Sequence, residues 1–303
     1  MKNDRLGTLM KSKYNISIIG AGKVGTAVGH LLLKKGHNIT AAAACSNSSL
    51  EKASRFLPGV TLTKDSAKAV CGADVILITT RDEQIKPACD KLEAAGVLLP
   101  EHIVMHMSGA GSLDLLSSAK AAGAKVASLH PIQSFASIEL AIERLPGSYF
   151  GLTAEGPARD AALQIAQDLG GMVIEIADEN KSLYHAAACI ASNYLVALLG
   201  FAEEVYKASG LDKDIALKAM MPLVKGTLSN IENIGIAAAL TGPIARGDVK
   251  IIKQHLESLD KINAKAASAY RVLGLKTVEI AIEKGTLGQE NAVRISAILK
   301  DGL

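Results

Sequence analysis

The sequence predicts an α/β chain: a Rossmann-type parallel sheet domain with helices on both faces, followed by an all-helical domain. Three observations carry that expectation. Short apolar runs alternate with amphipathic stretches as far as Ala177, the pattern of a parallel sheet whose crossovers are helices. A glycine-rich turn, Gly20-Ala21-Gly22-Lys23-Val24-Gly25, closes the first apolar run and opens the first helical one, the context a nucleotide-binding βαβ unit needs. After Asp178 no strand-like run follows, and helical periodicity takes over.

The elements follow in order. Residues 1–13 are polar and read as a disordered lead-in, without the apolar core of a secretory signal. Asn15 to Gly20 is a β-branched run ending in glycine, and Val24 to Lys35 has helical spacing and stops at Gly36. Strands are expected over Asn38 to Ala44, Asp74 to Thr79, Ile103 to Met107, Lys125 to Leu129 and Met172 to Ile176, with a helix over Ala158 to Leu169 before the last. The domain boundary is placed near Ala177, giving a nucleotide-binding domain over 14–177 and a helical substrate and dimerisation domain over 178–303. Helices are expected there over Lys181 to Ser209, Asp214 to Ile234, Lys250 to Ser268 and Ala269 to Lys284. Their alanine content points to a helix-packed homodimer.

Composition narrows the function. The 303 residues are 49% hydrophobic and 21% charged, with a formal net charge of +3. That is a globular balance and not a disordered one. No basic block and no Trp occurs, which argues against a nucleic-acid partner. No uninterrupted apolar run approaches the roughly 20 residues of a membrane span. Cys45, Cys71, Cys89 and Cys189 are scattered, so no metal-ligand spacing exists and reduced thiols in a cytoplasmic protein are expected.

The glycine loop is the strongest motif. Gly20 permits the tight turn, Gly22 lets backbone approach a pyrophosphate, and Gly25 allows helix to pack on strand. The N–H groups of Lys23, Val24 and Gly25 then meet the phosphates at the helix start. About 20 residues on, where an NAD site carries an acid, this chain has Cys45-Ser46-Asn47-Ser48-Ser49. Ser46 and Asn47 can accept a 2′-phosphate that a carboxylate would repel, and Arg55 is the candidate cation. The expected cofactor is therefore NADP.

Ligands of open α/β sheets sit beyond the carboxyl ends of the strands. Polar and small residues gather there: Thr79-Thr80-Arg81-Asp82, then His106-Met107-Ser108-Gly109, then His130-Pro131. Thr79 and Thr80 are assigned to the cofactor, and Asp82 can cap the next helix. Ser108 is placed beside nicotinamide or substrate. Pro131 holds His130 extended; that ring serves the site or merely closes its strand, whereas His106 packs within the sheet. On the long helix Lys181 and His185 share a face, and Asn193 sits amid apolar neighbours where an amide needs partners. In Thr241-Gly242-Pro243-Ile244-Ala245-Arg246-Gly247-Asp248, Asp248 caps the following helix. Arg246 there either grips a substrate carboxylate or pairs with Asp248 to brace the loop.

Five stretches together carry a resemblance: GAGKVG at Gly20–Gly25, HMSGAGSL at His106–Leu113, LHPIQSF at Leu129–Phe135, KSLYHAAACIASNYL at Lys181–Leu195 and LTGPIARGD at Leu240–Asp248. The chain resembles the 6-phosphogluconate-dehydrogenase-like superfamily. Within it, the chain is most similar to the Rossmann-like oxidoreductases whose helical C-terminal domain was long of unknown function. An alternative ketopantoate reductase is similar to that family; pyrroline-carboxylate reductases and prephenate dehydrogenases are more distant. The resemblance implies an NADPH-dependent reductase of a small carboxylate substrate, ketopantoate first, in pantothenate biosynthesis. Prephenate-type or pyrroline-carboxylate-type chemistry, or non-catalytic NADP sensing, stands as the alternative. Lys181 or His185 then supplies the proton, Asn193 and Ser108 orient the oxygen, and Arg246 holds the carboxylate. Hydroxyacid dehydrogenases carry Lys-x-x-x-Asn on this helix; here His185 follows Lys181 at that spacing.

Overall fold

The computed structural model describes residues 13–302; all but the last residue of the expected lead-in lies outside them. The first half runs β1 (Asn15–Ile19), α1 (Lys23–Lys34), β2 (Asn38–Ala43), α2 (Asn47–Ser54), β3 (Thr61–Thr63), α3 (Ser66–Ala69), β4 (Val75–Ile78) and α4 (Asp82–Ala94). It continues through β5 (Ile103–His106), α5 (Ser117–Ala121), β6 (Lys125–Pro131), α6 (Ile138–Arg144), β7 (Tyr149–Ala154), α7 (Gly156–Asp168) and β8 (Met172–Glu175). The strands form one sheet in the order β3-β2-β1-β4-β5-β6-β7-β8. Every pairing is parallel except that of β6 with β7. The α/β fold with a helical C-terminal region is therefore the observed one.

Burial on both faces explains the continuous apolar strands. All of Val75–Ile78 is buried, and its residues alternate between two cores. Val75 and Leu77 join Ile16, Ile18, Leu32 and Phe150 on one face; Ile76 and Ile78 join Leu92 and Leu116 on the other. Two strands escaped the sequence reading. β3 has only three residues. β7 contains Gly151, which weakens its pattern; a Cβ there would fall 2.5 Å from the Tyr184 hydroxyl.

The second half comprises α8 (Lys181–Ala208), α9 (Lys213–Ile234), α10 (Ile236–Ala239), α11 (Val249–Asp260), α12 (Ala264–Lys284) and α13 (Gln289–Lys300). The expected break at Ser268/Ala269 falls earlier, because Asn263 caps α12 by accepting from the Ala266 N–H at 2.8 Å. Asp248 caps α11 as expected. Helix α13 was not foreseen; Ala292, Ile295 and Leu299 are its buried stripe. The chain divides into two compact units, one ending at Ser192 and one from Asn193, so the start of α8 stays with the sheet. The stretch Asp178–Ala208 is long and apolar enough to cross a membrane by length and composition, with mean hydropathy 1.5 in its most apolar window. That corrects the expectation that no apolar run approaches the length of a membrane span; Lys181 and His185 stand only at the start of this one.

Candidate active site at the carboxyl edge of the sheet

Strand order reverses beside β1, which has β2 on one side and β4 on the other. That reversal opens the crevice in which such sheets bind ligands. The glycine turn lies there. Gly20 has φ +114°, and a Cβ on it would meet the Thr80 amide nitrogen at 2.7 Å. The Thr79 hydroxyl donates to the Gly20 carbonyl at 2.8 Å, so Thr79 braces the turn. A Cβ at Gly25 would fall 2.3 Å from that hydroxyl, whereas one at Gly22 meets nothing closer than 3.9 Å. Two glycines are thus demanded by packing, and Gly22 alone faces open space. Helix α1 has no side-chain cap and no acid in its first turn. Its first N–H groups, those of Lys23, Val24 and Gly25, have no intrahelical partner by helix geometry. The Thr80 hydroxyl is buried without a partner among the described residues. An uncapped helix start behind an open glycine fits a dinucleotide pyrophosphate.

The β2–α2 loop is built for hydroxyl and amide groups. Ser46 caps α2, accepting from the Ser49 N–H at 3.1 Å, and Asn47 begins the helix. Arg55 does not join them. It stands at the far end of α2, about 13 Å of helix rise from Ser46, and pairs with Glu51 at 3.6 Å. The helix spacing that makes an i,i+4 pair also carries Arg55 away from the loop, which corrects its assignment to the 2′-phosphate.

Beyond β5 and β6 a second cluster forms within the same unit. His106 is level with Ser128, and His130 with Gly151. Lys181, 2% exposed, donates to the Ser128 hydroxyl at 2.6 Å and to the Ser108 carbonyl at 3.3 Å. Burial pulls its pKa down to about 8, against the attraction of Asp178 and Asp82. The Asp178 carboxylate itself accepts from the Leu113 N–H at 3.0 Å. His130 Nδ1 lies 2.8 Å from the Tyr184 hydroxyl. Burial, then the nearby His185 and Lys181, push His130 down to about 4. Burial raises Tyr184 to about 12, so it stays protonated.

The His130 and His185 rings meet edge to face, centroids 5.8 Å apart. A Cβ on Gly109 would fall 2.5 Å from His185 Nδ1 and 2.8 Å from His130 Cε1. Gly109 and Gly151 are therefore the floor on which three rings sit. His185 Nε2 is 3.5 Å from the Cys189 sulfur, and its buried Nδ1 has no partner among the described residues. Among the described residues, no carboxylate bonds to any of these side chains.

Residues 1–131 match the model of a Rossmann-like domain, and residues 148–277 match that of a domain of unknown function (DUF2520). No curated protein matches the chain. Among solved structures, a protein from Thermotoga maritima is similar at 24% identity and TM-score 0.70, with 89% of this chain and 99% of that one covered. A Bacteroides fragilis protein described as a candidate NADP oxidoreductase is similar at 21% identity and TM-score 0.67, with 88% and 98% covered. A pyrroline-5-carboxylate reductase from Coxiella burnetii is similar at 18% identity and TM-score 0.58, with 88% and 98% covered. This chain shares their fold.

Several predicted site residues thus converge: His130, Lys181, His185 and Ser108 meet in one cluster, and Thr79 and Thr80 stand against the glycine turn. Their roles change in detail. Lys181 is enclosed, not an exposed helix start. Ser108 is committed to its own turn: its N–H donates to His106 Nδ1 at 3.1 Å and its hydroxyl accepts from the Gly111 N–H at 2.8 Å. It shapes the loop with its N–H taken, and its hydroxyl keeps a hydrogen to donate. His106 packs in the sheet as expected, pushed down to about 3 by burial.

Asn193 and Arg246 belong to the other unit. Asn193 is exposed along with Ala191, Ser192 and Tyr194, so it is not the semi-buried amide that its apolar neighbours suggested. Arg246 is exposed, and the bracing pair with Asp248 does not form among the described residues. Asp82 is the first residue of α4, after Arg81 at the cap, and does not cap it. Tyr184 and Ser128 were missed. Tyr184 was legible, since it lies three and one residues from Lys181 and His185 on the same helix. Ser128 was not, because only strand register brings it to Lys181.

Proposed function

We propose that the protein is an NADPH-dependent oxidoreductase that reduces a carbonyl or imine carbon in a small carboxylate-bearing molecule. Ketopantoate is the first substrate to test, and a cyclic imine carboxylate such as pyrroline-5-carboxylate the second. The observation that carries the reading is one sheet edge holding both an open, uncapped glycine turn and a cluster of buried Lys181 with half-buried His130, Tyr184 and His185, none of them bonded to a carboxylate among the described residues. When bound, a nicotinamide supplies the hydride. Gly20, Gly22, Lys23, Val24 and Gly25 would hold its pyrophosphate, and Ser46 and Asn47 its 2′-phosphate. The polar loop that lacks an acid favours the phosphorylated form of the cofactor.

The chain's own part is electrostatic and acidic. Lys181, with a pKa near 8, is mostly charged at neutral pH and fixed by Ser128 and Ser108. It supplies an immobile positive charge for the negative charge that grows on the substrate oxygen or nitrogen. His185 donates the proton. It is only half-buried and lacks a partner at Nδ1 among the described residues, whereas Lys181 is enclosed and already donates to two acceptors. Tyr184 fixes the tilt of His130, which packs against His185. An anionic substrate suits this cluster because Lys181 has no bonded counter-charge.

The test is loss of NADPH absorbance with ketopantoate and pyrroline-5-carboxylate, NADH in parallel. Turnover with either substrate and preference for NADPH are expected. Bound NADPH with no turnover of any carbonyl or imine carboxylate would leave the non-catalytic reading standing and remove this one.

A further inference from the structure

With Arg55 carried off by α2, the β2–α2 loop lacks the cation expected of it, and strand pairing brings a different one to its side. β3 runs parallel to β2, with Ala43 opposite Thr63. The ladder ends one step later, where the Ala44 N–H donates to the Thr63 carbonyl at 3.1 Å. Both chains therefore leave the sheet at the same point of its carboxyl edge, on neighbouring strands about 4.8 Å apart. Two residues past Ala44 stands Ser46, the cap of α2, and the residue after Thr63 is Lys64. The turn at Lys64 is fixed, because the Asp65 N–H donates to the Thr63 hydroxyl at 3.0 Å. Lys64 thus stays at the edge that Arg55 leaves.

The charges around it are occupied elsewhere. The Asp65 carboxylate turns into α3, accepting from the Ala67 and Lys68 N–H groups at 3.1 and 3.3 Å, and pairs with the Lys68 ammonium at 3.9 Å. Glu51 pairs with Arg55. Lys52 lies in the last turn of α2. Lys64 is exposed and makes no ion pair among the described residues.

We propose that Lys64, at the end of β3, is the residue that selects a 2′-phosphorylated dinucleotide, its ammonium pairing with that phosphate alongside Ser46 and Asn47. The inference rests on the reading of the glycine turn as a dinucleotide site. It gives to β3 a discrimination that the β2–α2 loop cannot make alone. That loop lacks an acid, so it does not repel a phosphate. Its hydroxyl and amide groups are neutral, however, and bond a free ribose 2′-hydroxyl as well as a phosphate. The two ligands differ chiefly in charge, so telling them apart takes a cation. Lysine supplies a point charge on a flexible stem and needs no fixed fork around it, which suits an exposed strand end. Lys68 is the nearest rival in sequence, and Asp65 holds it.

The experiment is calorimetric titration of the full chain with NADPH and NADH, and with the isomers 2′,5′-ADP and ADP, which differ only in where the second phosphate sits. None of these readouts needs turnover. Lys64→Ala should weaken NADPH and 2′,5′-ADP by roughly 10–100-fold, the worth of a charge-assisted hydrogen bond, and change NADH and ADP by less than about twofold. Lys64→Arg, which keeps the charge, should recover most of the loss. Lys68→Ala removes an equal charge one helical turn away and should change all four by less than about twofold. The melting temperature should hold throughout, since these side chains are exposed. A wild type that prefers NADPH while Lys64→Ala leaves it unchanged, or weakens all four ligands alike, overturns this assignment and leaves the dinucleotide reading standing. So does a loss that Lys64→Arg fails to recover. A wild type that binds neither NADPH nor NADH removes that reading and this inference together.

Discussion

The two units of this chain bury their apolar residues by different means. In the first, every residue of β4 is enclosed by helices of the same unit, and Phe150, Leu32 and Ile18 are wholly buried. In the second, a compact core around Ile252, Ile295 and Leu299 is flanked by long helices whose apolar residues face outward. The first unit is complete as it stands and devotes its polar edge to a site. The second leaves α9 with only Ala216 and Met220 buried. The difference teaches that hydrophobic patterning gives the helix but not what lies against it.

The comparison can be broken or sharpened in several ways. The largest effect is expected at the site: His185→Ala should lower turnover by roughly 10²–10⁴-fold while NADPH affinity holds, the signature of a lost proton donor. Steady-state kinetics beside a binding titration checks it, and unchanged turnover would return the donor role to Lys181. Next come paired truncations followed by chemical denaturation. Phe150→Ala should cost about 3–5 kcal/mol as a buried cavity. Leu223→Ala should change the stability of the chain by less than about 0.5 kcal/mol, as an exposed substitution does. Equal losses at the two positions would erase the contrast between the units.

Acid should act on the first unit before the second. His106 and His130 are held neutral by burial, at about 3 and about 4, whereas the unfolded chain takes up those protons near 6.5. The unfolded state therefore binds more protons below pH 6.5, and stability falls as pH drops from there towards 3. Thermal unfolding between pH 7 and pH 4 should show the loss, and the double variant His106→Gln/His130→Gln should flatten it. Lys181 acts at the other end: its lowered pKa makes the fold gain stability as pH rises from about 8 towards 10.5. The smallest effect is at Arg55. Since it lies at the far end of α2 paired to Glu51, Arg55→Ala should change the NADPH dissociation constant by less than about twofold, within what an exposed ion pair contributes.

Much of this was legible in the residues because it rests on local pattern. The alternation up to Ala177, the glycine turn and the cap at Asp248 are short-range chemistry; the caps at Ser46, Asp212 and Asn263 are equally local but were not read. What could not be read depends on long-range register. Ser128 meets Lys181 only because β5 and β6 pair with His106 opposite Ser128. Gly109 and Gly151 look like loop and strand defects until three rings are seen resting on them. Arg55 was misplaced for the opposite reason: closeness in sequence to Ser46 is not closeness in space when eight helical residues lie between. Asn193 was misread because apolar neighbours were taken to mean burial, and on this helix they do not.

Gly22 offers the most direct test of the claim that the first unit is built to bind a dinucleotide. Its φ of −87° suits any residue and a Cβ there meets no atom nearer than 3.9 Å, so Gly22→Val should fold with an unchanged melting temperature. Its side chain would occupy the approach to the α1 N–H groups. Fluorescence titration of NADPH into wild type and variant should then show micromolar binding lost by roughly 100-fold or more, given the worth of a helix-start phosphate contact. Equal NADPH affinity in the two proteins, or no binding of NADPH or NADH by the wild type, would contradict the account.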